Sequence, residues 1–215
     1  MPAADADAWA DFTDWAPFGA LANSNAFDDC RAKLRMTYAP SGLAFDVRVT
    51  DDEHHQTQLP DDPMAAWSHD SLQMGFDMDI LKPWTAGFAG GESGSGTLSG
   101  HRVFEFTVAG RADGSTTNGI AFLHRSYDDN LPANTVRPNV RVTVVREAHV
   151  TCYSLDVPWS ELGVAQPLRA GDVFGFSLAV NDVDPGRNAK RHGLRVHDGI
   201  VNDKNAKNYG PVWLR

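Results

Sequence analysis

What most constrains this chain is a period of two. From Ser71, the stretch SLQMGFDMD puts Leu72, Met74, Phe76 and Met78 on one side of an extended backbone. Ser71, Gln73, Gly75, Asp77 and Asp79 fall on the other. That pattern predicts a strand with one dry face and one wet face. It recurs along the chain. RAKLRMTY alternates through Leu34, Met36 and Tyr38, and GLAFDVRVT through Leu43, Phe45, Val47 and Val49, with Asp46 and Arg48 outward. RVFEFTV, NVRVTVV, TCYSLDV and VFGFSLAVND repeat it through Phe104, Phe106 and Val108, through Val140, Val142 and Val144, through Tyr153, Leu155 and Val157, and through Phe174, Phe176, Leu178 and Val180. APSG, between RAKLRMTY and GLAFDVRVT, is a turn signal that predicts a hairpin over 31–50. PWSELG, at 158–163, predicts a single helical turn opened by Pro158 and closed by Gly163. Strands joined by turns without alternating helices predict an all-β fold, a single antiparallel β-sandwich of immunoglobulin-like or jelly-roll-like type with at most short helical turns.

An all-β domain can reach 215 residues, and no repeat or linker interrupts the pattern, so residues 1–215 are expected to form one domain. Four long loops are expected, over 51–66, 80–101, 112–139 and 182–208; long loops on a rigid sandwich are where binding is usually placed. The net charge of −9 argues against nucleic acid and against anionic membrane surfaces as partners, while acidic loops suit calcium. No apolar run is long enough to span a bilayer. MPAADADAWADF has neither a basic n-region nor an apolar h-region, so no signal peptide is expected within these residues. The chain is then expected to belong to a larger protein with its targeting signal elsewhere. Cys30 and Cys152 lie in apolar, strand-like contexts and are expected as buried thiols, one disulfide being the alternative.

Catalytic signatures are missing: there is no G-x-S-x-G, H-E-x-x-H, phosphate-cradling glycine loop or C-x-x-C. With 28 Asp plus Glu, carboxylate pairs arise from composition alone and do not point to glycoside hydrolysis. His54 and His55 beside Asp51, Asp52 and Glu53 form a metal cluster on paper, but neighbours on a strand point opposite ways, so a surface loop is the expectation. The tryptophans are a better lead. A sugar ring offers C–H faces on which aromatic rings stack, and a rim of hydroxyls that Gln, Asn, Arg and Asp bond. Trp67, six residues before Gln73 on the expected wet face, would serve both ends of that chemistry. The plainer reading folds Trp67 over the sandwich edge as packing.

Those residues resemble the family 9 carbohydrate-binding modules and their looser relatives in the DOMON-like superfamily. The W-x-x-D-S-L-Q of Trp67–Gln73 resembles the hallmark strand of that family. GLAFDVRVTDDEHHQ, YSLDVPWSELG, GDVFGFSLAVNDVD and GIVNDKNAKNYGPVWL resemble further blocks in the same order, covering about residue 32 to the end. The resemblance implies a non-catalytic module that grips a poly- or oligosaccharide, possibly at a chain end, between two tryptophans, often as an appendage of a polysaccharide-degrading enzyme outside the cell. It implies Trp67 as the first clamp residue, Gln73 as a hydroxyl contact and Arg102 as a sugar-binding arginine. Where the second tryptophan is expected, this chain has Val196 and His197. His197, Trp84 or Phe88 would have to supply the missing wall. The resemblance also implies calcium, for which Asp51, Asp52, Asp182 and Asp184 are the acidic positions in matching blocks, and no organic cofactor.

Alternatives stay open at this level. One is an accessory domain without a sugar site, docked through Trp9, Phe12, Trp15 and Phe18. Another is a haem-binding relative with Met36, Met74 or Met78 as ligand, although methionine more often fills cores. The sugar is not legible; Arg102, Arg187, Arg191 and Lys204 would suit an acidic one.

Overall fold

The computed structural model describes residues 15–19, 30–55, 63–86, 88, 100–110, 119–128, 130–184, 192–201 and 204–215. Two antiparallel sheets enclose the core, with only short 3-10 turns between strands. The smaller sheet has the order β2 (Cys30–Ala39), β3 (Gly42–Asp51), β9 (Val150–Pro158), β8 (Arg141–Glu147). The larger runs β1 (Ala16–Gly19), β11 (His192–Val196), β10 (Val173–Asp182), β4 (Ser71–Asp77), β5 (Val103–Gly110), β6 (Gly119–Ser126), β7 (Thr135–Val136), with β12 (Gly210–Trp213) also paired to β10. The all-β sandwich expected from the alternation is what the chain forms. The hairpin is there too, with Ala39 opposite Gly42 across the Pro40–Ser41 turn. The turn at Trp159–Leu162 ends at Gly163, whose φ of 63° lets its N–H reach the Ser160 carbonyl.

Phenylalanines from both sheets meet in the middle. The Phe76 ring lies 5.8 Å from Phe45 of the small sheet and 5.9 and 5.5 Å from Phe106 and Phe176 of its own sheet. Met74 and Met78 are buried in this core and Met36 packs partly against it, so all three fill volume. Trp15 also packs on this core, and Phe18 is buried in a second apolar cluster. Trp9, Phe12, Arg187 and Arg191 lie outside the described residues. Both cysteines are free thiols, Cys30 buried and Cys152 half-buried.

Two sequence expectations need correction. The side of β4 expected to be wet is dry: all seven residues, including Ser71, Gln73 and Asp77, are buried. β4 is an inner strand between β10 and β5, and its outer face is roofed by chain rather than water. The roof comprises the Pro63–Ser68 turn, Trp84 and Phe88, Ile200 and Val201, and the Ala206–Asn208 turn with Tyr209. The second correction is to two of the expected loops: 112–139 holds β6 and β7, and 182–208 holds β11. In GIAFLHRS both sheet faces are covered and the β5–β6 register shifts between Glu105 and Phe106, so no clean alternation appears.

Tyr209 makes the roof fit. A Cβ on Gly75 would stand 2.4 Å from its ring, and one on Gly199 would stand 2.8 Å from it. Gly75 is therefore glycine because a phenol lies against its backbone. Gly75→Ala is expected to overpack this contact and cost about 1–3 kcal/mol. Urea unfolding of the variant beside wild type checks it; an unchanged midpoint would mean that Tyr209 is not seated there.

Candidate functional site

The outer face of the large sheet gathers polar groups in its centre. Alternation puts Gln73 and Gly75 of β4, Glu105 and Thr107 of β5, Arg125 of β6 and Ser177 of β10 on this side. Gln73 faces Thr107 and Gly75 faces Glu105 across one ladder, and Glu105 faces Arg125 across the next. Gln73 Nε2 donates to Glu105 Oε1 at 3.1 Å. Lys204 Nζ donates to the same oxygen at 2.5 Å, Arg125 Nη1 donates to the Lys204 carbonyl at 2.9 Å, and the Arg125 guanidinium stands 3.8 Å from Glu105 Oε2. A fully buried carboxylate is tolerable here because two cations face it.

Not every group is satisfied. Tyr209 Oη, Thr107 Oγ1 and Glu105 Oε2 are buried with no hydrogen-bond partner among the described residues. Burial holds the Tyr209 phenol well above its usual titration range, with Glu105 pushing the same way, so it stays a neutral donor and acceptor. Two hydroxyls and a carboxylate oxygen thus lie buried in one patch without partners among the described residues, and they are groups of the kind that match a ligand's hydroxyls.

Trp67 stands at the rim. Its turn is anchored by fully buried Ala66, which packs on Ala109 and Ile120 at the end of this face. Trp67 itself is 38% exposed and Met64 of the same turn 49%, unusual for apolar side chains of this size. The structure thus sets an open indole at one end of the face whose centre holds Gln73.

The other sequence-derived positions fare differently. Trp84 belongs to a stack: its ring lies 3.7 Å from His101 and 5.3 Å from Phe88, nearly parallel to both, with Lys207 5.8 Å away. His101 Nδ1 is bonded to the Asp77 carboxylate at 2.9 Å, and burial raises the Asp77 carboxyl's pKa. Arg102 forks onto Asp79, through Nε at 2.8 Å and Nη2 at 2.7 Å, while Nη1 donates to the Gly163 carbonyl. That fork, with Lys82, holds the Asp79 carboxyl well below the carboxylate range despite burial. His197 has a left-handed φ of 60°, lies exposed and rests its ring against Gly210, where a Cβ would meet Nε2 at 2.1 Å. Its carbonyl accepts from Ser177 Oγ at 3.5 Å, which ties it to the same face. Val196 points into the main core.

The acidic positions do converge at the Ser71 end. Carboxylate oxygens of Asp51, Asp52 and Asp184 lie within 4.8 Å of one another, as do ligand atoms of Asp51, His54 and Asp70. Asp182 is buried and, with Asp70, helps burial raise the Asp51 carboxyl to about 7. Asp70 accepts from the His55 and Val183 N–H groups and stands 3.0 Å from His54 Nδ1. Arg146 bonds the Asp51 backbone carbonyl at 3.1 Å and approaches its carboxylate only at 3.5 Å.

Sequence reasoning missed Glu105, Thr107, Arg125, Tyr209 and Asp70 as site residues. Glu105 and Thr107 were readable as the outward positions of RVFEFTV, and Asp70 as the acidic position inside W-x-x-D-S-L-Q. Arg125 and Tyr209 sit in segments without alternation and gave no signal.

Comparison with solved structures decides the fold. A carbohydrate-binding module family 9 from Caldicellulosiruptor kristjanssonii in complex with glucose aligns over 86% of this chain and 77% of its own, with a TM-score of 0.57 and 14% identity. The fold is that of family 9 carbohydrate-binding modules. The same module in complex with cellotriose aligns with a TM-score of 0.57 over 86% of this chain and 75% of its own, again at 14% identity. A candidate carbohydrate-binding protein from Bacteroides uniformis aligns over 94% of this chain and 86% of its own, at 7% identity and a TM-score of 0.56. At such identities the likeness is one of fold. No family model matches the sequence, and no curated protein matches it.

Because Arg102 is bound up in its fork, its removal is expected to act on stability. Arg102→Ala leaves buried Asp79 with Lys82 and the backbone N–H of residue 102, and should cost about 1–3 kcal/mol. Denaturant unfolding measures the cost. A variant as stable as wild type would return Arg102 to the list of ligand contacts.

Proposed function

We propose that this chain is a non-catalytic carbohydrate-binding module whose sugar site lies on the outer face of the large sheet, between Trp67 and the Gln73–Glu105–Tyr209 patch. One observation carries the reading: buried Tyr209 Oη, Thr107 Oγ1 and Glu105 Oε2 lack hydrogen-bond partners among the described residues, on the sheet face at whose end the exposed Trp67 stands. The solved neighbours hold glucose and cellotriose, which supports a saccharide as the ligand class. Recognition consists of stacking on Trp67 and hydrogen bonds to the open groups, with no bond broken. His197, whose backbone carbonyl accepts from Ser177 Oγ, is our candidate for a second wall. Trp84 contributes by holding His101 and the roof in place rather than as a free wall. Such modules serve polysaccharide-active proteins outside the cell, and we assign this chain to that setting.

Calorimetric titration with cello-, xylo- and galacto-oligosaccharides tests the reading. A saturable ligand is expected, weakened about tenfold or more by Trp67→Ala, since 1.4 kcal/mol of lost stacking is a factor of ten. Tyr209→Phe, which keeps the ring in its cradle, should lose roughly 0.5–1.5 kcal/mol of affinity through the hydroxyl alone. No heat from any saccharide with folded protein would mean that the fold has outlasted its sugar site.

We further propose that the Asp51, Asp52 and Asp184 cluster, joined by Asp182 and Asp70, holds calcium. Oxygens within 4.8 Å of one another fit around a single ion with bonds of about 2.4 Å, and an all-carboxylate set suits a hard cation. An ion would stabilise carboxylates that are otherwise forced together. Calcium at roughly a hundred times its dissociation constant should raise the melting temperature by about 5–10 °C over the chelated protein. Asp184→Asn should lose most of that increment. Equal melting with calcium and with chelator would remove calcium from the account.

A further inference from the structure

A groove of about 520 Å³ opens at the tip of the β2–β3 hairpin. It is lined by Tyr38, Ala39 and Pro40 of the hairpin and by Pro167, Leu168 and Arg169 of the connection leading into β10. None of these residues belongs to the patch on the large sheet. Both segments are fixed from behind. The Trp159 indole N–H donates to the Ala39 carbonyl at 3.0 Å, and the Tyr38 hydroxyl donates to the Arg215 carbonyl at 3.0 Å. The Arg169 N–H donates to Asp172 Oδ2 at 2.6 Å, the Asp172 N–H donates back to the Arg169 carbonyl at 3.0 Å, and the Gly171 N–H donates to the Leu214 carbonyl at 2.9 Å. Tyr38 and Leu168 also pack partly on the main core. Pro40 and Pro167 stiffen the walls through their fixed φ. The groove therefore exists before a ligand arrives, and its volume falls within the roughly 300–1,000 Å³ of small-ligand sites.

Building on the reading of the chain as a saccharide-binding module, we propose that this groove is a second saccharide site, taking a neutral sugar unit. The Tyr38 hydroxyl is spent on the Arg215 carbonyl, so what this residue offers a ligand is its ring. An aromatic face takes the C–H face of a sugar. Arg169 is exposed, and its guanidinium makes no hydrogen bond or ion pair among the described residues, so its N–H groups are donors at the rim. Asp172, exposed and closed onto the Arg169 backbone, sets carboxylate oxygens in the same turn as acceptors. An apolar floor with a donor and an acceptor at its edge suits a polyol, whose hydroxyls both give and accept. Charge sharpens the choice: the Asp172 carboxylate offsets the guanidinium, so an anion gains little here. Grooves for proline-rich peptides are lined by several aromatic rings, and this lining has Tyr38 alone, which favours the sugar over such a peptide. Two sites on one module hold a polymer at two points, which raises retention without tightening either site.

Amide shift mapping of the full chain by NMR tests this, with cellotriose, xylotriose, galactotriose, an oligogalacturonate and a proline-rich peptide as probes. A neutral trisaccharide should move the Ala39, Ser41 and Arg169 amides saturably, in wild type and in Trp67→Ala alike, with little dependence on salt. Tyr38→Ala should weaken that binding about tenfold or more by removing the stacking face. Arg169→Ala, on an exposed side chain, should weaken it about three- to tenfold, and it carries the test if Tyr38→Ala fails to fold. Response at the groove with silent Gln73 and Thr107 amides upholds the groove and overturns the large-sheet site. Response at Gln73 and Thr107 with a silent groove overturns the groove and leaves the large-sheet site standing. Groove binding that is unchanged in Arg169→Ala, or that disappears in Trp67→Ala, also overturns it. Tighter binding of the oligogalacturonate or of the peptide replaces the neutral sugar as occupant and overturns the assignment. Silence of all these amides towards every saccharide overturns both sites.

Discussion

Everything at the large-sheet face depends on one constraint: strand β4 is buried on both sides, although half of its residues are polar or glycine. A buried polar group without a partner costs about 1–3 kcal/mol, and a buried charge more. Glu105, fully buried on the neighbouring strand, therefore recruits Lys204 and Arg125. Arg125 in turn holds the Lys204 carbonyl, and Tyr209 is set into the space left by Gly75 and Gly199. Residues 204–209 are thus fastened to the sheet by charge at Lys204 and by shape at Tyr209. What stays unpartnered among the described residues after that closure is a small set of buried oxygens, to which the proposed function assigns the ligand's hydrogen bonds.

The tryptophans show how little residue type says by itself. Trp159 is a core residue whose indole N–H donates to the Ala39 carbonyl at 3.0 Å. Trp84 is pressed against His101, and through His101 against Asp77, so it supports a buried pair. Trp67 has an open surface because its neighbour Ala66 makes the contact that anchors the turn. The same division holds for the arginines. Arg102 spends its fork on Asp79 and a carbonyl, whereas Arg125 neutralises the buried Glu105.

The sandwich was legible wherever one strand face met the core and the other met a polar environment. β2, β3, β8 and β9, which form the small sheet, read cleanly because their outer face is exposed or half-buried. The large sheet read less well because its second face is roofed. β6 shows an apolar run with no period, and β1 and β11 are short strands without their own pattern. β4 did alternate, but alternation reports side-chain type rather than solvent, and Gln73, Asp77 and Ser71 are polar for a buried network. The Asp51, Asp52 and Asp184 convergence was legible from matching blocks. Asp70 was visible as the acidic position of the W-x-x-D-S-L-Q block, but its role was not, because that role depends on the β4–β10 register that brings Ser71 opposite Asn181.

The two sheets divide the chemistry. The large sheet closes on itself and keeps a few buried oxygens without partners among the described residues. The small sheet stays open and meets its surroundings with Arg31, Lys33 and Arg48 over a shallow groove. In the proposed sugar site, discrimination comes from hydrogen bonds, because a ligand lacking the right hydroxyl leaves Tyr209 and Thr107 unpaired.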